Sequence, residues 1–234
     1  MNSGTDLIIL IGPPGAGKGS VSELCTRHLG WMQLSTGNLC RKHIAAQTEI
    51  GKQIDFAIKS GKLVSDSLVT EMVEGWLNNQ IGNVPAVILD GFPRTIAQAQ
   101  ALDEFLKIKM QSSKIYVIRL RISDENIVLR LGDRYICSNS ECQAVYSLSK
   151  GSKLIPQKSM VCDVCGHALS RRKDDEENAI RERLHIYNKH EQDLLNFYKN
   201  AKNTQYLVSE LNVERALPEI FEDLKKLVGV GLDK

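Results

Sequence analysis

Residues 7–20, LIILIGPPGAGKGS, decide the fold of this chain. The apolar run at residues 7–11 predicts a strand that is buried on both faces of a parallel sheet. A glycine-rich turn follows, and then Lys18 and a segment with helical spacing. Glycines allow successive backbone N–H groups to point into one hollow at the positive end of the helix, where a phosphate fits. Lys18 adds a mobile positive charge that can follow the outer phosphates.

This stretch matches the phosphate-binding loop pattern from Gly12 to Lys18, with one departure. The residue after the lysine is Gly19, and the hydroxyl comes one place later, at Ser20. The alternative is a glycine-rich turn that only joins a strand to a helix. The order of strand, loop, lysine and helix favours phosphate binding.

A second buried strand is predicted at residues 86–90, AVILD, and it ends in Asp90. A carboxylate at the carboxyl end of a central strand beside a phosphate loop suits magnesium, usually through retained waters. The alternative is that Asp90 only forms a turn before Gly91.

Strands and helices alternate along the rest of the chain, which predicts an α/β fold with a parallel sheet flanked by helices. Further strands are expected at 115–121 and 206–208, and a short extended link at 31–34. A helix is expected from the phosphate loop to Gly30, and short helices from the capping residue Ser35 to about 57, with breaks at Gly51 and Gly61. Ser123 is expected to cap a helix at 124–131, and Pro218 to lie in the first turn of a helix that begins at 217. Further helices are expected after 66, at 96–106 and at 175–201.

The composition excludes several classes of protein. The chain has 234 residues, 42% hydrophobic and 25% charged, with a formal net charge of +2. These values are ordinary for a soluble globular protein, and the small charge gives no reason to expect a nucleic-acid or membrane surface. The first residues lack a basic and apolar signal, and no apolar run approaches ~20 residues, so neither export nor membrane spanning is expected. Six cysteines are too few for a disulfide scaffold, and we expect a cytoplasmic protein.

Four cysteines form two close pairs, Cys137-x4-Cys142 and Cys162-x2-Cys165. Two such pairs, 19 residues apart, can fold as knuckles that surround one ion tetrahedrally. In a reducing compartment they are more often metal ligands than disulfides. We expect a structural zinc, because four thiolates leave no open position for water. The alternatives are that His167 replaces one sulfur, or that the thiols bind nothing.

The chain resembles the adenylate kinase family, in its long bacterial form with a zinc-binding lid. The resemblance rests on the phosphate loop and on STGNLCR (35–41), DGFPRT (90–95) and RRKDDEENAIRERL (171–184), and it covers nearly the whole chain. It implies a P-loop nucleoside monophosphate kinase fold with a core at 1–34, 65–132 and 172–234, an AMP-binding insertion at 35–64 and a lid at 133–171. It also implies the reaction MgATP + AMP ⇌ 2 ADP without a covalent intermediate. The protein is then expected to be a monomer whose partners are the nucleotides ATP, AMP and ADP, and to bind neither nucleic acid nor a membrane.

The resemblance also implies a role for individual residues, carried over by matching position. The residues expected on the ATP side are Gly15, Ala16, Gly17, Lys18, Gly19, Ser20, Arg130, Arg134, Val145 and Tyr146, with Asp90 toward magnesium. Those expected on the AMP side are Thr36, Arg41, Lys62, Leu63, Val64, Gly91, Phe92, Pro93, Arg94 and Gln98, the last reading adenine. Those expected between the nucleotides are Arg172 and Arg183, oriented by the hinge pair Asp174 and Asp175. Lys18, Arg94, Arg134, Arg172 and Arg183 are the expected catalytic set.

Some positions depart from the family pattern. Ser20 stands where the family usually has threonine, Asn38 replaces a common aspartate, and Tyr135 stands where many relatives have a second arginine. The role of that arginine therefore does not transfer to Tyr135.

Two other functions fit part of this sequence. A kinase for UMP or CMP is the nearer one, although Thr36, Thr95 and Gln98 resemble adenine-type sites. A zinc-ribbon nucleic-acid-binding protein with a phosphate loop is the more distant one, since the 133–171 segment has some basic residues but the chain has no basic stripe.

Overall fold

The computed structural model describes residues 4–59, 64–149, 152, 154–172, 175–201 and 206–230. The strands are β1 (Asp6–Ile11), β2 (Met32–Ser35), β3 (Ala86–Asp90), β4 (Ile115–Arg121), β5 (Arg134–Cys137), β6 (Val145–Ser147), β7 (Leu169–Ser170) and β8 (Tyr206–Asn212). The helices are α1 (Lys18–Leu29), α2 (Thr36–Ala45), α3 (Glu49–Lys59), α4 (Asp66–Asn78), α5 (Ile96–Lys109), α6 (Asp124–Gly132), α7 (Glu177–Asn200) and α8 (Leu217–Leu227).

A parallel sheet of five strands, in the order β2-β3-β1-β4-β8, forms the centre of the molecule. Leu7 and Ile9 face one side of it and Ile8 faces the other, so that β1 is buried on both faces. Helices α4, α5 and α7 pack on the first side, and α1 and α8 pack on the second. The predicted fold class, a parallel sheet flanked by helices, is confirmed.

The prediction of a short link at residues 31–34 is wrong, because Met32–Ser35 form the edge strand β2. This strand pairs with β3 in parallel, with Ser35 opposite Asp90. Only Leu34 of its four residues is buried. A short edge strand lacks the continuous apolar run by which buried parallel strands are recognised.

Most predicted helix boundaries lie close to the observed ones. Helix α1 ends at Leu29, and the next residue, Gly30, caps it in the left-handed backbone conformation. Helix α8 carries Pro218 in its first turn. Ser123 stands at the N-cap of α6, but its side chain does not cap the helix and donates to Glu214 instead. Leu227, the last residue of α8, is 38% exposed.

The prediction that Gly51 breaks a helix is wrong, because this residue lies inside the first turn of α3. Thr48 caps this helix by accepting a hydrogen bond from the Gly51 N–H. A side chain at position 51 would place its Cβ 2.0 Å from the carbonyl oxygen of His43, near the end of α2. Glycine is therefore required by the close approach of α3 to α2. The second predicted break, at Gly61, lies outside the described residues.

We expect Gly51→Ala to lower the free energy of unfolding by about 3 kcal/mol, because α2 and α3 would have to separate. Gly75→Ala is the matched control, since a Cβ at this position in α4 meets no atom within 4 Å. Removing a glycine from an exposed helix interior should raise stability by about 0.5–1 kcal/mol. Urea unfolding followed by circular dichroism measures both changes. Equal stability of the Gly51→Ala and wild-type proteins would contradict the contact with His43.

Strands β5, β6 and β7 form a small antiparallel sheet in the order β6-β5-β7, which the sequence analysis does not predict. Its buried side chains are few, and two of them, Cys137 and Cys162, are cysteines. The apolar cluster of this segment is therefore small.

Candidate active site

The phosphate loop joins β1 to α1 at the carboxyl edge of the central sheet. Gly15 and Gly17 have φ values of 82° and 90°, in the left-handed region that glycine tolerates best. A Cβ at Gly15 would lie 2.8 Å from the Leu131 side chain, so α6 also restricts this position. Gly17 is the N-cap of α1 and has no side chain with which to satisfy the first N–H groups of the helix. The loop therefore offers the backbone donors that a phosphate requires.

Lys18 lies folded back on this loop, where its ammonium donates to the carbonyls of Gly12 (2.7 Å) and Pro13 (2.9 Å). The pKa of Lys18 is lowered to about 8, mainly by loss of hydration; the Asp90 carboxylate opposes this shift and nearby arginines add to it. The arginines that act on it are Arg94, Arg183 and Arg134. The structure therefore brings four of the five residues of the expected catalytic set into one electrostatic neighbourhood.

Asp90 ends β3 directly beside the first turn of α1. Its Oδ2 is 3.9 Å from the position that a Cβ of Gly19 would occupy, and it accepts a hydrogen bond from Gln33 Nε2 (3.2 Å). The carboxylate is thus turned toward the phosphate loop, and Ser20 follows on the same helical turn. A carboxylate and a hydroxyl in this position fit magnesium, which takes few protein ligands and keeps several waters.

A second group of polar residues surrounds Gly91, on the other side of Asp90. The Gly91 carbonyl accepts from Thr36 Oγ1 (2.9 Å) and from Arg94 Nε (2.8 Å). Gly91 has a φ of 83°, and a Cβ there would lie 2.9 Å from both Thr36 Oγ1 and Arg94 NH2. This glycine therefore lets the threonine and the exposed arginine converge on one carbonyl.

Gln98, expected to read adenine, is 5% exposed and already bonded within the protein. Its Oε1 accepts from the Arg94 N–H (2.8 Å), and its Nε2 donates to Asp66 (2.7 Å). Because an amide nitrogen carries two hydrogens, a second N–H of this group remains for a base. The recognition of adenine by Gln98 stays a prediction.

Other residues expected at the AMP side differ in their availability. The side chains of Phe92 and Pro93 are buried, and Phe92 belongs to the core, so only their backbone can face a nucleotide. Val64 is half-buried. Lys62 and Leu63, and Asp174 of the expected hinge pair, lie outside the described residues.

Two arginines, Arg134 and Arg183, meet at one buried carboxylate. Asp175 is 1% exposed and accepts two hydrogen bonds from Arg134, one from Nε at 2.8 Å and one from NH2 at 2.5 Å. Arg183 lies 3.6 Å from the same carboxylate. Arg130 instead donates to the carbonyls of Ala16 (3.5 Å) and Val213 (2.6 Å), which fixes it beside the phosphate loop. Arg172 is half-buried, and its carbonyl accepts from the Asp175 N–H (3.2 Å).

Tyr146, expected near ATP together with Val145, is buried among the cysteines. Its hydroxyl donates to Cys162 Sγ (3.4 Å) and accepts from the Asp163 N–H (2.7 Å). The expectation that Val145 and Tyr146 lie near ATP stays a prediction, and the burial of the Tyr146 side chain leaves its backbone for such a contact. Val145 is 42% exposed, so that part of this residue remains accessible.

The four predicted cysteines converge, with Cys137, Cys142, Cys162 and Cys165 placing their sulfurs within 4.8 Å of one another. Tetrahedral zinc with bonds near 2.3 Å requires sulfurs about 3.8 Å apart, and two of the pairs lie at 3.3 and 3.7 Å. The backbone N–H of His167 lowers the pKa of Cys165 to about 6, which favours the thiolate that a metal requires. The His167 ring contacts the Cys165 carbonyl (3.2 Å) instead of joining the sulfurs. The residues fit a structural zinc held by four cysteines.

Three residues with polar contacts at the site were missed by the sequence analysis. They are Gln33, which holds Asp90, Asp66, which holds Gln98, and Gln143, which contacts Arg41. Each partner is at least 32 residues away along the chain, and no local pattern marks such a pair.

The parallel sheet, the phosphate loop and the cationic side chains around Lys18 define a P-loop nucleotide kinase. A family model described as "Adenylate kinase" matches residues 10–203. The chain belongs to the adenylate kinase family.

Curated relatives agree with this assignment over most of their length. The chain is 36% identical over 222 residues to an adenylate kinase of Clostridium tetani, which covers 95% of this chain and 98% of the relative. It is 33% identical over 219 residues to that of Thermosipho africanus, with 94% and 99% covered. It is 38% identical over 192 residues to that of Caldicellulosiruptor bescii, with 82% and 86% covered. Within the described residues, no helix combines the length and apolar character needed to cross a membrane.

Proposed function

We propose that this chain catalyses reversible phosphoryl transfer from MgATP to AMP, giving two ADP. The observation that carries the proposal is that the Lys18 ammonium lies on the carbonyls of the phosphate loop, within electrostatic range of Arg94, Arg134 and Arg183. Phosphoryl transfer develops negative charge on the oxygens of the transferred group, and catalysis is mostly positioning and electrostatic stabilisation. No covalent nucleophile is required.

We assign ATP to the side formed by the loop backbone, Lys18 and Arg130. AMP lies on the side of Thr36, Gly91, Arg94 and Arg41, so that the two nucleotides meet end to end below Asp90. Asp90 and Ser20 would hold magnesium through waters, and the ion would neutralise charge on the ATP phosphates. In this scheme Arg172 and Arg183 act on the phosphates between the nucleotides.

Three parts of the chain perform these tasks, as the sequence analysis expects. The core carries the phosphate loop, the insertion at 35–64 carries Arg41, and the lid at 133–171 covers ATP. Closure of the lid and the insertion keeps water from the transferred group, which would otherwise be hydrolysed. Asp175 supports this closure by holding Arg134, the first residue of the lid sheet, against the core.

A coupled assay of ADP formation tests the proposal. Purified protein with ATP, Mg²⁺ and each of AMP, CMP, UMP and GMP should show the highest kcat/KM with AMP. A preference for UMP or CMP would assign the chain to another monophosphate, and no turnover with any of the four would reject the proposal.

We expect Cys162→Ser to lower the zinc content of the purified protein from about one ion per chain to near zero, because a structural site needs all four ligands. The lid should then melt at a lower temperature than the core. Cys40→Ser is the matched control, since Cys40 lies outside the cluster and should leave the zinc content unchanged. Atomic absorption and thermal unfolding provide the measurements. Loss of activity with an intact lid would mean that the metal is chemical and not structural.

A further inference from the structure

Two residues of the lid reach across the cleft to α2. Gln143 Oε1 accepts a hydrogen bond of 2.7 Å from Arg41 Nε, and Glu141 forms an ion pair of 2.9 Å with Lys42. The partners of the first contact are 102 residues apart, and those of the second 99. Both lid residues are adjacent to Cys142, so the cysteine cluster fixes the position of their backbone.

Gln143 is held firmly in this position. It is 9% exposed, and its Nε2 donates to the Ser140 carbonyl (2.8 Å). Its backbone N–H donates to the Asn139 carbonyl (3.0 Å), and its φ of 48° turns the chain sharply after Cys142. The acceptor oxygen is therefore presented to Arg41 by a turn that is itself hydrogen-bonded.

The Arg41 guanidinium is restrained on more than one side. Gln143 binds its Nε–H, and its NH2 group donates to Asn38 Oδ1. The guanidinium also lies over Gly37, where a Cβ would come within 3.3 Å of NH1. A long side chain that is already ordered loses less conformational entropy when a phosphate binds.

We propose that Gln143 is a positioning residue for Arg41, so that closure of the lid over one nucleotide orders the arginine that binds the phosphate of the other. The inference rests on the proposed function, in which Arg41 contacts AMP. It deepens that function by making AMP affinity depend on a lid residue that contacts α2 through its side chain. Glu141 and Lys42 add little, because their side chains are 71% and 46% exposed and exposed ion pairs contribute weakly.

A double-mutant cycle tests the proposal on the full-length protein. We expect Gln143→Met, which keeps the length but removes the acceptor, to raise KM for AMP about tenfold, the effect of one hydrogen bond to a charged group. KM for ATP and kcat should change by less than about twofold, because only AMP binding is altered. Gln143→Glu, which keeps an acceptor oxygen, should restore KM for AMP to within about threefold of the wild-type value. Glu141→Gln is the matched control from the same turn and should change KM for AMP by less than about twofold.

Arg41→Lys supplies the second side of the cycle. Lysine keeps a charge, so that AMP binding remains measurable, but it lacks the Nε–H that Gln143 accepts. In this background Gln143→Met should have almost no further effect on KM for AMP. A tenfold effect that persists in the Arg41→Lys background, or an equal rise in KM for ATP, would overturn the proposal. A wild-type protein that forms no ADP would instead reject the proposed function, before Gln143 is considered.

Discussion

Replacing Lys18 by methionine is expected to lower kcat for ADP formation by about 10²- to 10³-fold, the usual loss when one preorganised charge-stabilising donor is removed. The ammonium lies at the mouth of the phosphate loop, within the field of three arginines and of Asp90. In the free protein it donates to two loop carbonyls, and a bound phosphate would replace them. Initial rates with saturating ATP and AMP measure the effect.

The pH dependence of kcat/KM distinguishes an electrostatic role of Lys18 from a role in packing. Because burial of the ammonium lowers the pKa of Lys18 to about 8, its charged form is lost as the pH rises through that value. The wild-type kcat/KM for ATP should therefore fall above a pH of about 8, while Lys18→Arg should not show this step. A Lys18→Met enzyme with kcat within about threefold of the wild-type value would contradict the assignment.

Asp175→Ala is expected to lower the free energy of unfolding by about 3–5 kcal/mol, because it leaves Arg134 without its buried partner. The two side chains are 0% and 16% exposed, and their contact is bidentate. The same change releases Arg183 from the carboxylate, so kcat should fall together with stability. Urea unfolding and steady-state kinetics give the two measurements.

The matched control for Asp175 is Asp223→Ala. Asp223 also pairs with an arginine, Arg215, but the two side chains are 32% and 39% exposed. Exposed pairs contribute about 0–1 kcal/mol, so this variant should be nearly as stable as the wild-type protein. Similar losses from the two variants would show that the burial of Asp175 has no special effect.

The parts of the fold that follow from neighbouring residues were predicted correctly. The apolar strand β1, the glycines of the loop, the left-handed Gly30 and Pro218 each specify local backbone geometry, and the structure confirms them. Strand β2 and the interior position of Gly51 were not predicted. Both depend on contacts with β3 and α2 that leave no signal in the surrounding sequence.

The candidate site divides in the same way. Sequence motifs located Lys18, Asp90 and the four cysteines, because each belongs to a short pattern with its own chemistry. They did not show the direction of a side chain. The Tyr146 hydroxyl points to Cys162, and Gln143, which belongs to no sequence motif, contacts Arg41.

The alignment of β1 with β3 has a further consequence. Leu10 pairs with Asp90 in a ladder that begins four residues earlier, at Asp6 and Ala86. If β3 slid by a single residue, Asp90 would project from the opposite face of the sheet, away from the lysine. Core residues such as Ile88, which lie away from any nucleotide, therefore set the register of β3 and with it the position of the Asp90 carboxylate.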